Sequence, residues 1–246
     1  MIDLQAYESI SLSEIEAVKL LNRIDSKYIF HENTLPEILK EIEPYYYILE
    51  INSKRQHRYE SLYFDTADYQ LYYQHHNGKP NRMKVRYRRY SDTGLVYFEV
   101  KQKTYNSRTI KYREERINLN VELQNADYLM CSNLSMSSAR LQDQLWIYFD
   151  RITFVRKDFT ERLTLDLNLT FQKADSKKDY QKLVVAEIKQ DKGSVFSPIM
   201  QSFRSRHINS SNFSKYSVGI ATLENVKSNS FKPILLKLNK ILSVKL

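Results

Sequence analysis

Apolar and polar residues alternate one by one through much of this chain, the period of an extended strand whose successive side chains face opposite sides. The clearest stretch is 160–171, where Leu163, Leu165, Leu167 and Leu169 share one face and Arg162, Thr164, Asp166 and Asn168 the other. The same reading predicts strands at about 23–30, 45–51, 57–65, 82–91, 95–104, 108–117, 147–155 and 181–190. Helix signals lie between and around them. Ser11 with Glu14, or Ser13 with Glu16, gives a capping-box start for a helix over 9–22, and Thr34 with Glu37 opens a second. A mixed helical stretch is expected over 119–145 and helices over 195–246. Many strands joined by short turns predict an α+β chain of mainly antiparallel β, closed or folded on itself, with helices packed outside.

The polar faces carry the chemistry. Lys84, Arg86 and Arg88 point one way, as do Glu99, Lys101 and Lys103; Lys111, Arg113 and Glu115; and Glu187, Lys189 and Asp191. Arg23, Asp25 and Lys27 repeat the pattern near the start. For one strand the plain reading is a face turned to water. Long cations beside isolated carboxylates on strand after strand point instead to a closed sheet with its polar face inward and helices on its apolar face. Such a tunnel suits a chain of phosphates, whose oxygens meet Arg forks bidentately. The carboxylates either pair with the cations or hold a hard divalent ion, Mg²⁺ or Mn²⁺.

Composition narrows the ligand. A net charge of +9 implies an anionic partner. The four glycines, Gly78, Gly94, Gly193 and Gly219, are scattered, which excludes a Walker loop or a dinucleotide-binding loop. Phosphate must therefore be held by side chains. The single cysteine, Cys131, excludes an internal disulfide framework and a multi-cysteine zinc site, and reads as a buried thiol. No RNP signature is present, so sequence-specific nucleic-acid binding is not expected. The sequence shows neither a signal-peptide pattern nor an apolar run of about 18 residues, and a cytoplasmic location without a transmembrane segment is expected. His75 and His76 read as a loop or helix-surface pair, Trp146 as core or sheet surface, and Asp65 as either an orienting partner for an Arg or a chemical group. Residues 231–242 are amphipathic and basic; packing on the barrel is favoured over contact with an anionic membrane.

Nine short stretches together resemble a known family. They are Arg23-Ile24-Asp25-Ser26-Lys27-Tyr28, Leu62-Tyr63-Phe64-Asp65-Thr66, the run from Lys84 to Tyr90, Phe98-Glu99-Val100-Lys101, Lys111-Tyr112-Arg113, Arg151-Ile152-Thr153-Phe154, the run from Arg162 to Asp166, Glu187-Ile188-Lys189 and Phe213-Ser214-Lys215-Tyr216. In this order, from about Arg23 to about Gly219, they resemble the VTC domain, the polyphosphate polymerase domain of the vacuolar transporter chaperone, within the triphosphate tunnel metalloenzyme or CYTH-like group. The resemblance implies a closed eight-stranded tunnel barrel with peripheral helices in a single domain over 1–246, its strand core about 23–191 and its C-terminal helices about 195–246. It implies transfer of the ATP γ-phosphate to a polyphosphate chain, with Mn²⁺ or Mg²⁺. By position, Lys27, Arg86, Arg88, Lys101, Arg151 and Arg162 become catalytic candidates. Arg23, Lys84, Lys103, Lys111, Arg113, Lys189 and Lys215 become substrate-binding candidates, and Glu187 the metal ligand. The stretch Arg23-x-Asp25-x-Lys27 departs from the Glu-x-Glu-x-Lys of the hydrolase branch, and Asn212 stands where the polymerase can have a second lysine. A tri- or polyphosphatase and a non-catalytic polyphosphate or inositol-phosphate sensor remain alternatives.

Overall fold

The computed structural model describes residues 3–17, 23–105, 108–133, 140–191 and 197–243. Its strands are β1 (Ser9–Ile10), β2 (Arg23–His31), β3 (Tyr46–Leu49), β4 (His57–Asp65), β5 (Arg82–Tyr90), β6 (Val96–Lys103), β7 (Thr109–Arg116), β8 (Gln142–Arg156), β9 (Glu161–Lys173), β10 (Ser176–Tyr180) and β11 (Leu183–Asp191). Its helices are α1 (Leu12–Ala17), α2 (Leu35–Ile42), α3 (Gln70–His76), α4 (Asn125–Asn133), α5 (Pro198–Ser205), α6 (Lys215–Leu223) and α7 (Lys232–Leu242). Among the described residues no helix is long and apolar enough to cross a membrane.

Eight strands follow one hydrogen-bonded path, β2-β11-β9-β8-β4-β5-β6-β7, with every neighbouring pair antiparallel. The expected closure is corrected here: among the described residues β2 and β7 end the path and are not paired with each other. Another segment occupies the outer edge of β2. Ser210 bridges Tyr28, and the Ser211 N–H donates to the Lys27 carbonyl at 2.7 Å. A backbone edge already bonded there is not open to β7.

The outer, convex face is apolar and covered. Tyr28, Phe30, Ile152, Phe154, Leu163, Leu165, Val184 and Ala186 pack under α2 and α5. Leu62, Val85, Tyr87, Phe98 and Val100 pack with Cys131 of α4. The concave face is apolar at one end, where Ile29, Tyr63, Leu145, Ile147, Phe149, Leu169, Phe171 and Val185 meet Tyr216, Val218 and Ile220 of α6. Helix α6 thus lies against the inner face, whereas outside packing was expected of all the helices. Gly219 makes the approach possible: a Cβ there would come within 2.5 Å of Leu145 Cδ2. The C-terminal α7 buries Ile234 and Leu238 in the same cluster, as its amphipathic pattern suggested.

A bulge corrects the face of Leu169. The β8–β9 register shifts between Tyr148 and Asp150, and Asn168 takes φ 52°. The extra residue returns Leu169 and Phe171 to the concave side, while Leu163, Leu165 and Leu167 stay convex. Local signals fared unevenly. The Ser11–Glu14 capping box forms, with Ser11 N–H to Glu14 Oε2 at 2.9 Å and Glu14 N–H to Ser11 Oγ at 3.3 Å; the 18–22 part of the predicted helix lies outside the described residues. Thr34 does not cap α2; its hydroxyl donates to the His31 carbonyl at 2.9 Å. Helix α3 and strand β10 were not anticipated, and residues 142–145 are strand rather than helix.

Candidate functional site

Register aligns the concave side chains in rows. Lys84, Lys101 and Lys111 stand side by side on β5, β6 and β7. The next row is Tyr63, Arg86, Glu99 and Arg113. On the other half, Arg151 stands opposite Asp166, Glu187 opposite Lys27 and Thr164, and Lys189 opposite Arg162 and Asp25. Lys101 and Glu187 belong to strands far apart along the path, yet Lys101 is among the cations acting on Glu187. The sheet therefore curls until its two halves face each other.

Two buried carboxylates are clamped by cations. Glu99 accepts from Arg86 Nε at 2.8 Å and Nη2 at 2.6 Å, and forms ion pairs with Lys111 at 2.6 Å and Arg113 at 3.6 Å. Asp166 accepts from Arg151 Nε at 2.6 Å and Nη2 at 2.9 Å, and from Lys215 of α6. Burial pushes both acids up, but their cation neighbours outweigh it and hold both well below the usual carboxylate range. Aromatic rings floor the site. The Arg88 guanidinium lies 5.4 Å from the Tyr59 ring centre and donates to Ser61 Oγ at 3.1 Å; Arg151 lies 5.0 Å from Tyr59, and Lys215 Nζ 4.5 Å from Phe149. The Tyr63 hydroxyl accepts from Arg86 at 2.6 Å.

Glu187 differs from these two acids. Burial raises its pKa, yet Lys189, Lys27, Arg151 and Lys101 together bring it down to about 2. It is ionised near neutral pH, and its ion pair with Lys27 is long, 3.9 Å. Among the described residues no group of three or more His, Cys, Asp or Glu forms a metal cage. A single carboxylate with a long ion pair fits Mg²⁺ or Mn²⁺ of the kind that shares its shell with substrate phosphates and water.

A cleft of about 930 Å³ opens where β2, β5, β6 and α7 converge, and its wall includes Lys27, Arg82, Lys84, Lys101 and Lys103. Lys84 donates to Ser214 Oγ at 2.9 Å; burial, then Lys101, Lys27, Arg86 and Arg82, push its pKa down to about 7. Ser214 donates to Ser217 Oγ at 3.1 Å, and Ser217 pairs with His75 Nδ1 at 2.6 Å. Burial, then Lys84, keeps His75 neutral, with a pKa of about 3. The histidine pair is therefore packed rather than surface: His76 is buried and bonded to Asn77 and Asn229.

Other sequence candidates fall elsewhere. Arg162 shares the face of Asp166, but its Nη2 donates to the Ile15 carbonyl of α1 at 3.0 Å. The side chain of Arg23 lies outside the described residues. Asp65 neither orients an Arg nor faces the cations. It accepts the backbone N–H groups of Thr66, Leu71 and Tyr72 and the Tyr216 hydroxyl, tying α3 to α6. Cys131 is buried, its thiol pushed up to about 12 by burial and then Asp127. Asn212 lines the cleft. Sequence reading passed over Arg82, Tyr59 and Ser61, and gave no role to Tyr63 and Ser214 within their matched stretches. Arg82 was legible, since it stands two before Lys84 on the same face; the others became partners only through folding.

These features define a class: antiparallel β proteins with a curled sheet and a basic concave interior. The profile of the VTC domain matches residues 22–224, and the chain belongs to that family. Among solved structures it is similar to a Hippeastrum protein described as an adenylyl cyclase candidate that reveals a dominant triphosphatase activity, at 13% identity and TM-score 0.48, covering 83% of this chain and 97% of that one. It is also similar to an adenylate cyclase candidate of Bacillus halodurans, at 13% identity and TM-score 0.44 over 92% and 93% of the two chains. A Pyrococcus horikoshii protein is similar at 11% identity and TM-score 0.43, over 81% and 99%. No curated protein matches the sequence. The family assignment rests on the profile.

Proposed function

We propose that this chain is a metal-dependent polyphosphate polymerase, which moves the γ-phosphate of ATP to a polyphosphate chain lying along the basic concave face. The observation that carries the reading is the contrast among the three inward acids: Glu99 and Asp166 are held by Arg forks, while Glu187 is ionised among four cations and its ion pair with Lys27 is long, 3.9 Å. Lys27, Lys101, Arg86 and Arg88 bind and align phosphate oxygens; Glu99 and Asp166 fix the Arg forks that meet them. An oxygen of the acceptor's terminal phosphate attacks the γ-phosphorus in line while the bond to the ADP oxygen breaks. That oxygen is already ionised near neutral pH, so the chain supplies charge and alignment rather than a nucleophile. A Mg²⁺ or Mn²⁺ held by Glu187 and phosphate oxygens would supply further charge neutralisation when bound.

A second reading, triphosphate hydrolysis, is favoured by the exposure of Lys111 and Arg113 on the concave side, which admits water. Incubation with ATP and Mn²⁺ followed by sizing of the phosphate product separates the two. Lengthening chains support the polymerase; orthophosphate alone supports the hydrolase. Glu187→Gln is expected to lower turnover at least a hundredfold while tripolyphosphate affinity stays within about threefold, because the variant loses an anion from a cationic site. Parental turnover in a folded Glu187→Gln variant would remove Glu187 as metal ligand. Tight polyphosphate binding by a parent that turns nothing over would favour the sensor.

A further inference from the structure

We infer that polyphosphate enters this site sideways, through the seam between β2 and β7, so that the site accepts polyanions with no free end. The inference rests on the polyanion-binding reading above and adds how the ligand is admitted. A sheet closed by hydrogen bonds admits a chain only by threading an end. Here, among the described residues, β2 and β7 end the strand path, and residues 210–211 hold the β2 edge at Lys27 and Tyr28.

The side chains agree with an open flank. Lys111 and Arg113 point to the concave side, yet their side chains are 45% and 38% exposed. On the opposite wall the clamped Asp166 is 2% exposed and Arg151 14%. Water therefore reaches the concave cations from the β7 side. The cleft is lined from both ends of the strand path, by Asp25 and Lys27 of β2 and by Thr109 of β7, with Lys101 and Lys103 of β6 between.

Axial passage, by contrast, is narrowed where α6 packs on the concave face beside Leu169 and Phe171. In the row of Arg162, that side chain is drawn to the Ile15 carbonyl of α1. An exposed row of cations along the open flank also attracts a polyanion along its length, before any end is found.

The test uses a linear polyphosphate of about 100 phosphates biotinylated at both ends, with and without streptavidin caps. The caps are far wider than a strand-to-strand spacing of about 4.8 Å and cannot be threaded. Affinity and association rate are measured on the unmodified chain and on Lys101→Ala. Sideways entry predicts that capped and free chains bind within about threefold of each other, and that Lys101→Ala weakens both by the same factor. A capped chain that binds more than tenfold weaker or slower than the free chain overturns the inference while leaving polyanion binding intact. So does a capped chain indifferent to Lys101→Ala, which would be held on another surface. If the free chain does not bind at all, the polyanion reading falls together with the inference.

Discussion

Lys84 shows how far a single side chain is bent by its setting. It has no carboxylate partner among the described residues, and Ser214 accepts its hydrogen bond. Burial and the surrounding Lys101, Lys27, Arg86 and Arg82 bring its pKa from 10.5 to about 7. A bound anion favours the charged form, so binding should draw roughly half a proton onto Lys84 at pH 7. Calorimetry of tripolyphosphate binding in two buffers of different ionisation enthalpy measures the uptake, and Lys84→Met should remove that share of it. An unchanged proton count in the variant would clear Lys84 of the role. The sign for stability follows from the depressed pKa. The folded state gives up this proton before the unfolded chain does, so stability without ligand rises with pH between about 7 and 10.5. Lys84→Met should flatten that rise and raise Tm near neutral pH.

At the scale of elements, two features bring Lys215 into the site. Gly219 lets α6 lie on the concave face, and the bulge at Asn168 turns Leu169 and Phe171 inward to meet it. Gly219→Ala would drive a methyl into Leu145 and press on Phe171, costing about 1–3 kcal/mol. Because Lys215 opens α6, the same change should also weaken polyphosphate binding; thermal melts and titration together check this. Asn168→Val places a β-branched residue at φ 52° and should cost about 1–2 kcal/mol, read from the denaturant midpoint. A variant as stable as the parent would mean that the bulge relaxes without penalty. Asp65 belongs to this scale as well, since one carboxylate caps α3 and holds Tyr216 of α6.

For the whole molecule, the concave face is a store of like charge held together by two acids. Glu99 and Asp166 sit below their unfolded values of 4.5 and 3.8, so the stability they add is full above those values and lost as pH falls through the folded ones. Glu99→Gln leaves Arg86, Lys111 and Arg113 facing one another and should cost about 3–5 kcal/mol at pH 7. The acid limb of its stability curve should be shallower than the parent's, and a full-strength acid limb would show that Glu99 is not its source. Polyphosphate should return part of the loss by supplying the missing negative charge, seen as a larger ligand-induced rise in Tm for the variant.

Much of this was legible in the sequence because period-two alternation is local. It assigned Lys84, Arg86, Glu99, Lys101, Asp166 and Glu187 to the polar faces of their strands, and scattered glycines excluded a phosphate-binding loop. Alternation says which side chains share a face but not which edges meet. The β2 edge is taken by residues 210–211, nearly two hundred positions along the chain. A bulge leaves no mark on the pattern either: Asn168 reads as one more polar position, yet one extra residue reverses every face beyond it. The short α3 offers too few turns for a helical period to stand out, and the partners of Asp65 and His75 come from α6, far along the chain. The sequence by itself determined the strands, the cations and their faces, because those depend on neighbours two residues apart. The tertiary structure decided which acids are held by Arg forks, which helix enters the concave face and which segment takes the β2 edge, because each of these depends on segments that only folding brings into contact.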